Sequence, residues 1–154
     1  MLFLLHTGLR RFELCNLKWS DYDSKKSCIY VRKSKSKSGI RTVPLLPLCE
    51  RIIMVQPKIN DHIFNSTIKK PLTDSVLKKT YHRVRKASGV QSLTNHVCRH
   101  TFATRLLENG ATPKAISLLL GHSSVAFTMI RYTNPDLDYL REQVSLMDSI
   151  SRLV

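Results

Sequence analysis

The stretch NHVCRHTFATRLLENG, residues 95–110, has the composition and the closing glycine of a single helix. Helix positions i, i+3 and i+4 share a face, so His96, Arg99 and His100 are predicted to point from one side. Three interpretations compete for this cationic face: a zinc site, a solvated surface, or a clamp for a phosphate group.

The zinc interpretation is the weakest of the three. Two histidines at i and i+4 can bind zinc, but Cys98 falls on another face of the helix. Arg99 would put a fixed positive charge beside the ion, and no acidic residue lies between the histidines to serve as a base. We therefore expect neither a metal nor another cofactor.

A solvated face remains an open alternative, because runs of charge usually face water. The phosphate clamp is favoured by other residues of the chain: Arg10 after TGL, His122 after Gly121, and Tyr132 at the end of MIRY. Two arginines can hold both non-bridging oxygens of a phosphodiester, and histidines can add hydrogen bonds or move a proton. A tyrosine can attack phosphorus once positive neighbours or a base favour its phenolate.

Composition points to a polyanionic partner. The 154 residues carry 25 Lys and Arg against 11 Asp and Glu, a formal net charge of +14. Such an excess destabilises a compact fold by self-repulsion, and a strongly basic domain is typical of nucleic-acid binding. Seven basic residues lie within residues 25–41, and seven more within residues 69–86. The residues predicted to face DNA are Lys33, Lys35, Arg41, Lys78, Lys79, Arg83, Arg85 and Lys86.

The cysteines and the apolar runs indicate a cytoplasmic protein. The four cysteines are far apart in the sequence and form no C-x-x-C pair, which fits a reducing compartment better than a disulfide framework. No apolar run reaches the ~18 residues that a membrane span requires.

Hydrophobic periodicity predicts a mainly α fold with one small antiparallel sheet, an α+β class. Residues 1–19 are predicted to form one helix, although Gly8 in its middle is costly unless something approaches closely there. Its apolar stripe runs through Leu2, Leu5, Leu9, Phe12 and Leu17. Strands are predicted at 28–31 and 41–44 around a polar turn at 34–39, with a short extended piece at 61–64. Further helices are predicted at 47–55, 73–89, 96–110, 112–121, 123–132 and from residue 134 onward.

Four segments together resemble the tyrosine recombinases, the phage-integrase family of site-specific DNA recombinases. They are TGLRRFELCNLKWSDYD, KSKSGIRTVPL, HVCRHTFATRLLENGATPKAISLLLGH and SSVAFTMIRY, and they span residues 7–132. One H-x-x-R-H is a weak motif, whereas the four in this order are highly specific. The resemblance implies the catalytic-core fold of DNA breaking–rejoining enzymes, encoded by a mobile element.

The resemblance also implies residue roles. Arg10 looks like the first catalytic arginine, and His96 and Arg99 look like the histidine and arginine of the H-x-x-R box. His122 in LGH looks like the histidine of the third motif. His100 matches the last residue of the box and is expected to support the site.

Tyr132 looks like the nucleophile and Lys37 like the general acid. Lys33 and Lys35 lie close to Lys37, so the choice of lysine depends on the geometry of the hairpin turn. Glu13 lies three residues after Arg10 and is expected to orient that arginine rather than to act as a base.

The resemblance further implies double-stranded DNA as the partner, a homotetramer on DNA, and a prokaryotic, nucleoid-associated protein. Residues 1–154 are expected to form a single catalytic domain that lacks the family's N-terminal DNA-binding domain. Its last helix, 136–154, packs either on a neighbouring subunit or on its own domain. Two other functions remain open: a non-catalytic DNA-binding remnant of an integrase, and strand relaxation like that of a type IB topoisomerase.

Overall fold

A computed structural model describes residues 1–34, 37–66 and 69–122 of the chain, with Lys37 described by its backbone alone. The described helices are α1 Leu2–Thr7, α2 Arg11–Cys15, α3 Pro47–Met54, α4 Asp74–Ser88, α5 Asn95–Glu108 and α6 Pro113–Leu120. The strands are β1 Tyr22–Asp23, β2 Cys28–Val31 and β3 Arg41–Pro44, and short 3-10 turns lie at Trp19–Asp21 and Lys37–Gly39. The predicted α+β class with one small antiparallel sheet is confirmed.

The prediction of a single helix over residues 1–19 is wrong, because the helix is interrupted at Gly8. Gly8 ends α1 with φ 60°, in the left-handed region that favours glycine, and the next helix begins at Arg11. A Cβ at this position would lie 2.5 Å from Cδ1 of Phe102 and 2.9 Å from Cδ2 of Leu120. The close approach of these α5 and α6 side chains accounts for a glycine at this position.

The apolar stripe predicted for that helix is only partly confirmed. Leu9 and Leu17 are buried and Leu5 is half-buried, but Leu2 and Phe12 are 54% and 48% exposed. A break at Gly8 shifts the helical phase, so residues on either side of it no longer share one face.

The sheet runs in the order β1-β2-β3, with every neighbouring pair antiparallel. The predicted hairpin is confirmed, and its register pairs Val31 with Arg41 and Tyr30 with Thr42. Strand β1 was not predicted, since two residues are too few to show alternation. The 3-10 turn Lys37–Gly39 lies in the connection between β2 and β3.

Helices α3 to α6 confirm the predictions to within a few residues. Three of them begin at threonines whose side chains accept a backbone N–H of the first turn, which supplies a partner that the helix lacks. The sequence prediction missed one of these caps, because it began this helix at residue 96, whereas α5 begins at Asn95 and is capped by Thr94. The capping threonines are Thr73, Thr94 and Thr112. The extended piece predicted at 61–64 is also confirmed, since His62 forms an antiparallel bridge with Lys18.

Two groups of buried apolar residues hold these elements together. The larger one contains residues of the helices α1, α2, α3 and α4 and of the sheet. Within it, α1 packs on both α5 and α3. The smaller one consists of Ala103, Ile116 and Leu120, and it fixes α6 against α5. Because α6 also contacts β3, its C-terminal end lies where α1, α5 and the hairpin meet.

The helices predicted at 123–132 and 136–154 lie outside the described residues. None of the helices within the described ranges is both long and apolar enough to cross a membrane.

Candidate active site

Arg10 lies just before α2 and reaches across to the end of α6. Its Nη1 donates to Oε1 of Glu13 at 2.9 Å, and its Nη2 donates to the carbonyl oxygen of Gly121 at 2.9 Å. The backbone N–H of Arg10 donates to Oε2 of Glu13 at 2.8 Å. These bonds fix the guanidinium, while 30% of the side chain remains exposed to a cleft.

Arg99, in α5, is anchored at the same end of α6. Its side chain is buried in α5, where Nη1 donates to the carbonyl oxygen of Gly8 at 2.6 Å and Nη2 to that of Leu120. Both acceptors lie where a helix ends in a left-handed glycine, and carbonyls at helix C-termini lack intrahelical partners and attract cations. The two arginines thus bind consecutive carbonyls, Leu120 and Gly121.

Glu13 is buried beneath Arg10 and collects hydrogen bonds from three side chains. It accepts from Arg10, from Oγ of Ser34 at 3.2 Å, and from Arg41. Burial by itself would raise the pKa of this carboxyl group, but the hydrogen bonds and charges of Arg41 and Arg10 outweigh it and lower the pKa below 4.5. Glu13 therefore stays ionised, and its geometry supports the predicted role of orienting Arg10.

Arg41 lies inside the protein, in contrast to the prediction that it faces DNA. Its side chain is only 6% exposed, and Nη1 and Nη2 donate to Oε1 and Oε2 of Glu13, both at 3.0 Å. It also donates to the carbonyl oxygens of Gly39 at 2.8 Å and Leu119 at 2.6 Å. The sequence held a signal for this position, since Arg41 alternates with buried Val43 on one face of β3.

The turn Lys37–Gly39 packs between Arg10 and the end of α6. A Cβ on Gly39 would lie 3.4 Å from Nη1 of Arg10, and one on Gly121 would lie 2.8 Å from the carbonyl oxygen of Ser38. The end of the turn that begins with Lys37 is therefore held beside the first arginine. The side chain of Lys37 and all of Lys35 lie outside the described residues, so the choice among the hairpin lysines stays a prediction.

His96 lines the cleft into which Arg10 opens. Glu13, Ser34 and Thr94 line the same cleft, and His96 is exposed within the first turn of α5. The neighbouring Asn95 donates to the carbonyl oxygen of Leu9 at 3.2 Å, so the start of α5 is tied to the residue before Arg10. Sequence reasoning missed this tie, because an asparagine near a helix start normally suggests only a cap.

The other two histidines have different settings. His122 is half-buried and directly follows Gly121, whose carbonyl oxygen accepts from Arg10. The backbone N–H of His122 donates to the carbonyl oxygen of Ser117. His100 is exposed, with Nδ1 3.1 Å from Oγ1 of Thr104, and it lines a separate depression with residues of the later turns of α5. His96, Arg99 and His100 therefore do not form one uniform face, although the role predicted for His100 stays a prediction.

The basic surface predicted on α4 is mostly exposed. Lys79, Arg83 and Lys86 face solvent, whereas Arg85 is half-buried with Nε 3.4 Å from the carbonyl oxygen of Tyr81. Lys78 is exposed and lies 3.1 Å from Asp74, which also forms an ion pair with Arg11. That pair ties the start of α4 to α2, beside the cleft. Lys33 is likewise exposed after β2.

Tyr132, the predicted nucleophile, lies outside the described residues. Across residues 1–34, 37–66 and 69–122, His, Cys, Asp and Glu form no group of three or more that could hold a metal ion, and all four cysteines are free thiols.

Comparison with known proteins gives consistent matches. The model of the phage integrase family matches residues 1–138. Tyrosine recombinase XerA of Thermococcus onnurineus is 37% identical over 92% of this chain and 51% of its own length. A crystal structure of XerA recombinase is 35% identical with a TM-score of 0.74, covering 94% of this chain and 55% of that one. The Tn1549 transposon integrase in complex with transposon right end DNA is 26% identical with a TM-score of 0.82, covering 96% of this chain and 57% of that one. The chain thus spans about half the length of the curated relative and of the solved chains that it matches.

Proposed function

The chain belongs to the phage integrase family, and from that premise we propose that it is the catalytic domain of a tyrosine-type site-specific DNA recombinase. The observation that carries the proposal is the convergence of two arginines on the end of α6. Arg10, just before α2, and Arg99, in α5, are fixed by the adjacent carbonyls of Gly121 and Leu120. Preorganised cations of this kind stabilise a phosphoryl transition state without having to reorganise during the reaction.

In this proposal, Arg10 and Arg99 bind the non-bridging oxygens of the scissile phosphate. His96 and His122 add hydrogen bonds to the same oxygens, and His96 also accepts the proton of the attacking tyrosine. The protein itself thus supplies the positive charge that in-line attack requires. The exposed edge of Arg10 and the position of His96 in the same cleft support this arrangement.

Tyr132 is the proposed nucleophile. Its phenolate oxygen bonds to phosphorus, the bond from phosphorus to the 5′ oxygen breaks, and Lys37 protonates that oxygen. The products are a 3′-phosphotyrosyl link and a 5′-hydroxyl. The 5′-hydroxyl of a partner strand then attacks the link and releases the tyrosine, so that the number of phosphodiester bonds is conserved and no ATP is consumed.

The proposed partner is double-stranded DNA, bound by a homotetramer in the prokaryotic cytoplasm at the nucleoid. A neighbouring structure that contains transposon end DNA supports this partner, as do the exposed lysines and arginines of α4 and Lys33 after β2. Residues 1–154 would form one catalytic domain, in which 136–154 docks on a neighbouring subunit.

A covalent trap tests this function. The chain is mixed with nicked suicide duplexes, drawn from a library of element-end sequences, in the presence of EDTA. We expect a DNA–protein adduct that survives SDS, and we expect Tyr132→Phe to bind the DNA equally well without forming any adduct.

Two results would contradict the proposal. An adduct in Tyr132→Phe would mean that another residue is the nucleophile. Salt-sensitive DNA binding by the wild-type chain with no adduct, even after the N-terminal half of a full-length relative is added, would favour a non-catalytic remnant.

A further inference from the structure

Two arginines share one buried carboxylate beneath the proposed site. Both terminal nitrogens of Arg41 donate to Glu13, each to a different carboxylate oxygen at 3.0 Å, while Arg10 donates to Oε1 at 2.9 Å. The exposed fractions of the side chains are 1% for Glu13, 6% for Arg41 and 30% for Arg10. Of the two arginines on this carboxylate, only Arg10 therefore opens to the cleft, where a substrate would bind.

The charges of these three residues explain why the second arginine matters. Arg10 and Glu13 alone would form a neutral pair, and Glu13 would cancel much of the attraction of Arg10 for a phosphate. Buried charges a few ångströms apart are weakly screened, so this cancellation would be substantial. Arg41 returns the cluster to a net charge of +1, and its fork geometry holds the carboxylate in one orientation.

Arg41 also joins the parts of the chain that carry the other proposed catalytic groups. It donates to the carbonyl oxygen of Gly39, in the turn that begins with Lys37, and to that of Leu119 near the end of α6. The carbonyl oxygens of the next two residues in α6 hold Arg99 and Arg10. One buried guanidinium thus links the start of α2, the lysine turn and the end of α6.

We propose that Arg41 is a positioning residue of the recombination site, which holds Glu13 so that Arg10 keeps both its orientation and its net positive charge for the scissile phosphate. The proposal rests on the proposed function, because it assigns the phosphate to Arg10. In folded protein, removal of the carboxylate should compensate for loss of Arg41 in the cleavage rate and in phosphate affinity, whereas a purely structural role predicts compensation only in stability.

The test compares Arg41→Met with the double variant Arg41→Met/Glu13→Gln. In the single variant Glu13 neutralises Arg10, and we expect the rate of adduct formation to fall by about tenfold or more. A factor of this size is what the loss of one weakly screened charge close to the phosphate should produce. In the double variant the net charge returns to +1, and a glutamine oxygen can still accept from Nη1 of Arg10. We expect its rate to be at least about threefold higher than that of Arg41→Met.

Arg105 and Glu108 provide a matched control. They form an Arg–Glu pair at the same 2.9 Å distance, but their side chains are 75% and 50% exposed. Arg105→Met and Arg105→Met/Glu108→Gln change the charge of the chain by the same amounts as the test variants. We expect both to cleave at the wild-type rate.

Each variant is measured for its single-turnover cleavage rate, for its DNA dissociation constant and for its circular dichroism at the assay temperature. The proposal predicts a lower cleavage rate in folded Arg41→Met, with a smaller change in DNA affinity, and recovery in the double variant. A folded Arg41→Met that cleaves at the wild-type rate would overturn the proposal, and so would a double variant that is no faster than the single one.

A binding measurement separates this proposal from the proposed function. Inorganic phosphate is titrated into chain with 15N-labelled arginine, and the Nε–Hε signal of Arg10 is followed by NMR. If the wild-type chain forms no adduct even with the N-terminal half of a full-length relative added, the proposed function fails, but Arg41→Met should still bind phosphate more weakly than wild type, with recovery in the double variant. Equal phosphate affinities in all three proteins would overturn the role of Arg41.

Discussion

Among the described residues, two Arg–Glu pairs have the same spacing and the same distance but opposite surroundings. Arg10–Glu13 and Arg105–Glu108 are both i, i+3 pairs with 2.9 Å between nitrogen and oxygen. The side chain of Glu13 is 1% exposed, whereas that of Glu108 is 50% exposed. Sequence spacing alone cannot distinguish these pairs, and what separates them is Arg41, which comes from a strand far away in the sequence.

The difference shows how context decides what an ion pair does. An exposed ion pair replaces hydrogen bonds to water with hydrogen bonds between side chains, so it adds little net free energy of stabilisation. Salt screens its attraction further. A buried carboxylate must have its charge compensated by neighbours, so removing either partner leaves an uncompensated charge. The surface pair is therefore replaceable, while the buried cluster constrains three segments of the chain together.

The largest difference should appear in stability when each carboxylate is removed. Glu13→Ala leaves the guanidinium of Arg41 buried without its anion, and we expect a loss of about 3 kcal/mol in the free energy of unfolding. Glu108→Ala removes half of an exposed pair and should change it by less than about 0.5 kcal/mol. Urea unfolding followed by circular dichroism measures both. Losses of similar size would mean that Arg41 finds compensation without Glu13.

The sequence predicted the helices and strands whose signals are local, and it missed a feature that depends on distant residues. Capping threonines, glycine stops and strand alternation predicted α4, α5, α6 and the hairpin, because these signals are local. The break at Gly8 was missed because its cause, the approach of Phe102 and Leu120, comes from residues about a hundred positions away. Periodicity counted across the glycine therefore merged two helices into one.

The candidate site was predicted in the same uneven way. Motifs assembled Arg10, His96, Arg99 and His122. In the structure the two arginines bind carbonyls at the end of α6, His122 follows that end, and His96 lines the cleft that Arg10 also lines. The motifs could not show that the buried Arg99 donates to backbone carbonyls, because every residue type carries such an acceptor. Arg41 was assigned to the DNA-facing surface because charge composition carries no information about which face of a strand is covered.

A smaller effect should appear when the wild-type chain is acidified. The pKa of Glu13 is lowered from 4.5 in the fold, so its ionised form stabilises the native state above that value. This contribution is lost as the pH falls through the lowered pKa, because the carboxyl group must then take up a proton in the folded protein. Glu13→Gln has no such group, and we expect its deficit in unfolding free energy relative to wild type to narrow below pH 4.5. Urea midpoints across the acid range measure the deficit, and one that stays constant or widens would contradict the buried, ionised state of Glu13.

The smallest expected effect belongs to the surface pair. A double-mutant cycle with Arg105→Met and Glu108→Gln should give a coupling of less than about 0.5 kcal/mol, and about 1 M salt should remove it because the screening length is then only about 3 Å. The corresponding cycle for Arg41 and Glu13 should keep most of its coupling in the same salt, since the two side chains are almost completely enclosed. Unfolding free energies at low and high salt give both couplings. If the surface coupling resisted salt, or the buried coupling disappeared with it, burial would not be what distinguishes the two pairs, and the role assigned to Arg41 would lose its electrostatic basis.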